Sequence, residues 1–282
     1  MTNYILQRAI AMILTLFAIT TITFFLMHAI PGGPFTREKP LEAAIVAALN
    51  EKYHLDDPLF KQYTDYMGDL LRGDFGPSFK FRGRTVNELI GGGFPLTAKI
   101  GILSVIVTVI LSVPMGIISA LKQNKWEDYT FMFAATLGVT VPSFVLASIL
   151  IYFFCVQLGW FPVIWKTDAT GWLSFSQYIL PMLALSGYSM SFITRLMRSS
   201  MLDVISQDYI RTARAKGLSE FRVIMEHALK NAILPVVTYL GPMIAALVTG
   251  SFVIEKMFTI PGIGYFYDDS ATTEIYTMIM GS

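Results

Sequence analysis

The chain has one cysteine, Cys155, and three histidines, and only 15% of its residues are charged, where an ordinary soluble domain carries nearer a quarter. A single thiol in an apolar run builds neither a disulfide framework nor a cysteine metal cluster, and reads as a small buried hydrophobe. His28, His54 and His227 fall at the end of an apolar run, in a polar region and in a basic segment, so a shared metal site is not expected. No GxxxxGK[ST] loop is present, and the chain therefore does not itself cradle ATP. The glycine run at 91–93 precedes Phe94 and Pro95 instead of a helix-opening lysine, and reads as a flexible turn. Ser143, Ser186 and Ser199 lack a histidine and carboxylate in a supporting pattern, which leaves hydrolytic chemistry without a basis. A net charge of +1 gives no reason to expect a nucleic acid as partner.

What the chain does have is apolar length: 54% of it is hydrophobic, and a bilayer-crossing helix needs roughly 20 mainly apolar residues. Five segments qualify, at about 9–29, 100–121, 129–155, 178–197 and 232–254. The first is too long for a signal-peptide core and no small-residue cleavage pattern follows it, so it is read as a retained span. Pro114, Pro142, Pro181 and Pro235 lie in or at the start of spans, where a neighbouring helix or a water-lined cavity must satisfy the freed carbonyls. Lys99 and Arg195 stand at span ends, within reach of water by snorkelling, and the spans are otherwise nearly free of charge. A proton- or ion-coupled carrier would show more ionisable groups, so the energy for any transport comes from elsewhere.

Short cytoplasmic loops carry the excess of Lys and Arg. With the N-terminus inside, the short inner pieces hold Arg8, Lys122, Lys125, Arg195, Arg198, Arg211, Arg214, Lys216, Arg222 and Lys230, against Lys166 and Lys256 outside. The expected plan is an N-terminal region and first span at 1–29, a large extracytoplasmic region at 30–97, and a core at 98–282 with a cytoplasmic segment at 198–231. Within 30–97, LEAAIVAALNEKYHL (41–55) reads as an amphipathic helix, and Pro58 and the glycines after it mark turns. The chain stops at IYTMIMGS (275–282), which reads as the start of a sixth span; the expectation is an incomplete chain whose full form has six spans and both ends in the cytoplasm.

The cytoplasmic segment is more than a loop. SMLDVISQDYIRTARAKG predicts a helix from roughly 200 to 216 closed by Gly217, a residue that accepts a left-handed conformation without penalty. Ser219 is placed to cap a second helix, LSEFRVIMEHALKN, whose Met225, Leu229 and Ile233 recur at fourfold spacing as an apolar face.

This helix, glycine and helix, followed by ILP at 233–235, resembles the cytoplasmic motif of permease subunits of bacterial ABC importers, with departures: Arg211 stands at the glutamate position, Thr212 follows, and the gap before Pro235 is longer, while Ala213 and Gly217 match. DYIRTARAKG looks like the variant of the oligopeptide/dipeptide branch. FFLMHAIPGGP (24–34), YHLDDPLFKQY (53–63), GDLLRGDFG (68–76), VPSFVLA (141–147), LGWFPV (158–163) and EKMFTIPGIG (255–264) resemble, in order, blocks of the first of the two peptide-importer permeases. The resemblance implies an all-α membrane protein with a type I ABC importer transmembrane domain in the bacterial inner membrane. It also implies a second homologous permease, two cytoplasmic ATPase subunits that bind ATP and Mg, and an extracytoplasmic substrate-binding protein. It makes Asp208, Tyr209, Ile210, Arg211, Thr212, Ala213, Arg214, Ala215, Lys216 and Gly217 the coupling helix that enters a cleft on an ATPase. There Ala213 allows close approach, Gly217 makes the turn, and Arg211, Arg214 and Lys216 are placed to meet acidic groups. Lipid-headgroup contact under the positive-inside bias is the competing account of those three cations. Nickel, glutathione or a sugar as cargo, or a receptor or scaffold without transport, are the alternative functions, and no span residue stands out as a substrate contact.

Overall fold

The computed structural model describes residues 2–29, 56–78, 81 and 84–265. The expected helix at 41–55, His54 and the apolar stretch at 275–282 lie outside the described residues. The described residues are helical, apart from connecting turns and one isolated antiparallel bridge between Pro77 and Thr85, and they group into one unit up to Gly93 and another spanning Phe94–Tyr265.

In the first unit, α1 (Thr2–Ala29) is exposed along most of its length, as a lipid-facing helix is when no membrane surrounds it. Phe24 is its buried residue, stacked on His28 and Tyr66, while the Thr21 hydroxyl meets the Tyr63 hydroxyl at 2.9 Å on α2 (Leu59–Leu71). A second small core forms around Val86 and Leu89 with Phe75 and Phe81. Helix α3 (Val86–Leu121) contains the glycines at 91–93, which are therefore helical and not the flexible turn that the sequence suggests. Interior glycines each cost a helix about 1 kcal/mol; the long apolar run that follows carries the helix through them.

The second unit continues along α3 from Phe94. Helices α4 (Trp126–Thr140) and α5 (Ser143–Leu150, prolonged by a wider π turn over Ile151–Gln157) take the place of the single span expected at 129–155, and they meet at 109°. The cause is local. Pro142 has no N–H for the Gly138 carbonyl, and Val141 before it is extended at φ −83°, ψ 119°. Helix α6 (Gly171–Ile205) absorbs the span at 178–197 and the first part of the helix expected at 200–216. The chain then breaks at Gln207, whose extended ψ of 150° starts α7 (Asp208–Ala215) as a separate element. After Gly217 come α8 (Glu220–Ala232), α9 (Leu234–Val248), bent from it by 51°, and α10 (Phe252–Met257). The span expected at 232–254 thus ends at Val248, because Gly250 turns the chain at φ +81°. Three described helices are long and apolar enough to cross a membrane, or five spans if each bent pair counts as one.

The register of these helices is fixed by small residues. A Cβ on Gly101 would collide with the Leu247 backbone, one on Gly116 with Met197 and Thr194, and one on Gly138 with Ser191 and Gly187. Backbones therefore approach closely, which is how apolar helices gain packing energy where the solvent is also apolar. Val105, Val109, Val113 and Ile117 of α3 pack on a buried core of Ile193, Met197, Met201, Val236 and Met243.

Polar contacts lie toward both ends of α3. Toward its start, Lys99 Nζ donates to the Tyr178 hydroxyl at 3.0 Å and lies 4.3 Å from that ring's centre. Lys99 is exposed and sits within α3, which begins earlier than the expected span, with the Tyr178 hydroxyl and ring as its partner. Toward the other end, the Ser119 hydroxyl donates to Asp128, which also receives a two-pronged Arg198 guanidinium at 2.7 Å and 2.7 Å. Thr97 and Ser119 are separated by about 33 Å of helix at 1.5 Å per residue, close to the ~30 Å thickness of a hydrocarbon core. Since Tyr178 and Arg198 follow the same order, α3 and α6 run parallel, each with one polar contact near either membrane face.

Candidate functional site

The segment singled out in the sequence folds as α7 and its cap. Ile210 is fully buried and Ala213 is 6% exposed; both belong to the core that contains Met201, Val223 and Ala228. Asp208, Tyr209, Arg211, Thr212, Arg214, Ala215, Lys216 and Gly217 are exposed. A two-turn helix is too short to be stable alone, so the two buried residues anchor it and present its polar side outward. Asp208 occupies the first turn and Arg214 the last, each at the end of the helix dipole that favours its charge.

The cap closes as the sequence predicts. Gly217 adopts φ +79°, its N–H donates to the Arg214 carbonyl at 2.9 Å, and the Leu218 N–H reaches back to the Ala213 carbonyl at 3.4 Å. This double closure is a common ending for a helix that must stop and turn.

The three cations differ. Arg214 forks onto Glu220 at 2.8 Å and 3.3 Å across the Gly217 turn. Arg211 makes only a 3.5 Å contact with Asp208 in its own helix, and its side chain is 73% exposed. Lys216 forms no ion pair among the described residues. Tyr209 is held from the neighbouring element, its hydroxyl accepting from Asn231 at 2.8 Å.

Helix α8 corrects the expected apolar face in part. Leu229 and Ile233 pack, partly buried, against the core, but Met225 is 41% exposed, and the fully buried positions are Val223, Ala228 and Ala232, continuing to Val236 in α9. A π turn over Val223–Ala228 inserts one extra residue, so inward positions fall five apart once and four apart afterwards. Ser219 occupies the position before α8 with extended backbone, but its side chain makes no capping bond.

Three features escaped the sequence reading. The first is the Asp128 cluster: Asp128 is 3% exposed, accepts the Asn124 N–H at 3.0 Å besides Ser119 and Arg198, and thereby ties the turn after α3, the start of α4 and the end of α6 together. Arg198, read as one more cytoplasmic cation, is neutralised there. The second is a cavity of about 260 Å³ in the elbow of α4 and α5, lined between Gly138 and Leu146 and by Ala184 and Tyr188 of α6. The third is Glu255 in α10, 3% exposed, whose Oε1 accepts from the Thr97 hydroxyl at 2.9 Å. Burial pushes the Glu255 carboxyl up, while Thr97 and the N–H groups of Gly264 and Tyr265 hold it down. Oε2 is buried, with no full hydrogen bond recorded for it among the described residues. The signal was an acid followed by Gly262 and Gly264 in EKMFTIPGIG, but nothing local announces that these residues will fold onto one another.

An all-helical bundle with several bilayer-length helices, close glycine contacts and an outward polar helix near one membrane face is the architecture of a multi-pass membrane protein. The sequence matches the family of binding-protein-dependent transport system inner membrane components over residues 112–282, and that family's N-terminal region over residues 1–100. The chain belongs to this family. It is 45% identical over 282 residues to the dipeptide transport system permease protein DppB of Bacillus subtilis (strain 168), covering 100% of this chain and 90% of that protein. It is 44% identical over 284 residues to the oligopeptide transport system permease protein OppB of Salmonella typhimurium (strain LT2), covering 99% and 90%. In fold it resembles the inward-facing MetNI methionine ABC transporter, with a TM-score of 0.53 at 16% identity over 68% of this chain and 88% of that one.

Proposed function

We propose that the chain is one permease subunit of an ATP-driven peptide importer, paired with a second permease, served by two cytoplasmic ATPases and supplied by an extracytoplasmic binding protein. The observation that carries this reading is its 45% and 44% identity, over 100% and 99% of its length, to a dipeptide and an oligopeptide permease. ATP and Mg are handled by the ATPases. The N-terminus is cytoplasmic, on the strength of ten Lys and Arg in the short inner pieces against two outside.

In this reading Asp208 to Gly217 is the coupling helix. What supports the role is a short element anchored inward by Ile210 and Ala213, polar outward, and stopped by a left-handed glycine. Such a helix transmits a push because it cannot slide independently of the core beneath it. Arg211 and Lys216 are the cations left open for acidic groups of an ATPase, whereas Arg214 is engaged by Glu220 and stiffens the turn.

The test is isolation of the complex from its own membrane with its partners attached. Two ATPase subunits and a second permease are expected, and a preparation without ATPases overturns the reading. Arg211→Glu combined with Lys216→Glu is expected to lower the ATPase retained per permease; unchanged retention would remove these two side chains from the docking surface.

A further inference from the structure

A carboxylate is costly to bury unless its surroundings are built for it, and those of Glu255 come from one joint in the fold. The Thr97 hydroxyl on α3 works in both directions: it donates to Glu255 Oε1 at 2.9 Å and accepts the Ile263 N–H at 2.9 Å. Three glycines make room for the carboxylate. A Cβ on Gly250 would come closer than 3.0 Å to Oε1, and one on Gly262 or Gly264 equally close to Oε2. A second hydroxyl fixes the same loop from another side, where Thr259 accepts the Trp165 N–H at 3.0 Å. Thr259 holds φ +51°, a conformation that β-branched residues avoid, and it persists because the surroundings over-determine it. Ile254, Phe258 and Ile260 are buried beneath the loop.

This joint lies near the opposite membrane face from α7, about 33 Å of helix away from Ser119. Resting on the permease reading above, we propose that Glu255 is a positioning residue for transport: through Thr97 it clamps α10 and the loop after it onto α3. A displacement imposed where Ser119, Asp128 and Arg198 meet then reaches the far face with that loop attached. Helix α3 is the lever, and Gly101 against Leu247 and Gly116 against Met197 keep it seated along the way.

The test uses the complete complex in proteoliposomes, in a Cys155→Ser background with Ile260→Cys, at a fully buried position of the same loop, as a reporter thiol. Thr97→Val keeps the volume and deletes the hydroxyl; Thr97→Ser keeps the hydroxyl. With Thr97 intact, the reporter is expected to resist a water-soluble thiol reagent with and without ATP. In Thr97→Val it becomes labelled when ATP is added, and peptide uptake falls at least about tenfold, a change that loss of one buried polar pairing is large enough to produce. Thr97→Ser should return uptake to within about twofold, and Glu255→Gln added to Thr97→Val should cost little more, since both report one joint. Full uptake by Thr97→Val, unchanged labelling in it, or ATP-dependent labelling with Thr97 intact would each overturn the proposal. So would failure of every variant, Thr97→Ser included, to assemble, because the joint would then serve folding alone. A parent complex that hydrolyses ATP and takes up no peptide would count against the cargo reading alone, since the labelling comparison does not depend on cargo.

Discussion

At Gly217 the constraint is conformational and not steric: a Cβ there meets nothing within 4 Å, but the backbone sits at φ +79°. Gly217→Val therefore charges the left-handed penalty of about 1–2 kcal/mol to the turn without a clash. The expected outcome is a complex of normal composition whose peptide uptake per ATP hydrolysed falls; normal uptake in proteoliposomes would count against a coupling role. Asp128 makes a different demand. Removing its partner with Arg198→Ala leaves a carboxylate at 3% exposure with only Ser119 and the Asn124 N–H. The loss should be about 2–3 kcal/mol, the worth of a charged, partly solvated pairing, seen as a lower midpoint of thermal unfolding in detergent. Arg198→Lys, which keeps the charge and loses the fork, should fall between that variant and the parent. Gly217 was legible in the sequence because a capping glycine is a local signal. Asp128, Arg198, Thr97 and Glu255 were not, because their partners lie 70 or 158 positions along the chain, and a single sequence carries no such information.

Elements were legible to the extent that hydropathy alone decides them. The spans at 9–29, 100–121 and 178–197 all fall within helices, whereas their ends do not agree, since α3 begins at Val86 and α6 at Gly171. Hydropathy marks what must avoid water and is blind to where a helix stops once neighbours bury its ends. The elbow was half visible: Pro142 frees a carbonyl within an apolar run, but a proline can bend a helix slightly or end it. Here the extended Val141 ends it. Pro142→Ala restores the N–H that the Gly138 carbonyl lacks and relieves the restriction on Val141, favouring a continuous helix. Uptake should fall several-fold while thermal stability in detergent holds or rises; unchanged uptake would show that the bend is incidental. The π turn in α8 was invisible for a related reason. A fourfold count through Met225, Leu229 and Ile233 assumes an unbroken period, and one inserted residue turns Met225 outward and centres the inward face on Val223, Ala228 and Ala232, with Leu229 and Ile233 at its edge.

Taken as a whole, the second unit divides its labour by depth. One face carries α7 and the Asp128 cluster, the other carries the Glu255 joint and Lys99 on Tyr178, and closely packed helices connect them. The elbow sits between these levels, because Gly138 packs on Gly187 and Ser191, roughly midway along α6 between Tyr178 and Arg198. At that depth hydrocarbon offers nothing to a main chain whose helical bonding has been interrupted, yet Thr140, Pro142, Ser143 and Phe144 are all exposed on this chain. Its surface is therefore not a finished one for a lipid solvent. Water or another polypeptide must wet that notch, and whatever does so contributes to the folding of this subunit as well as to its work.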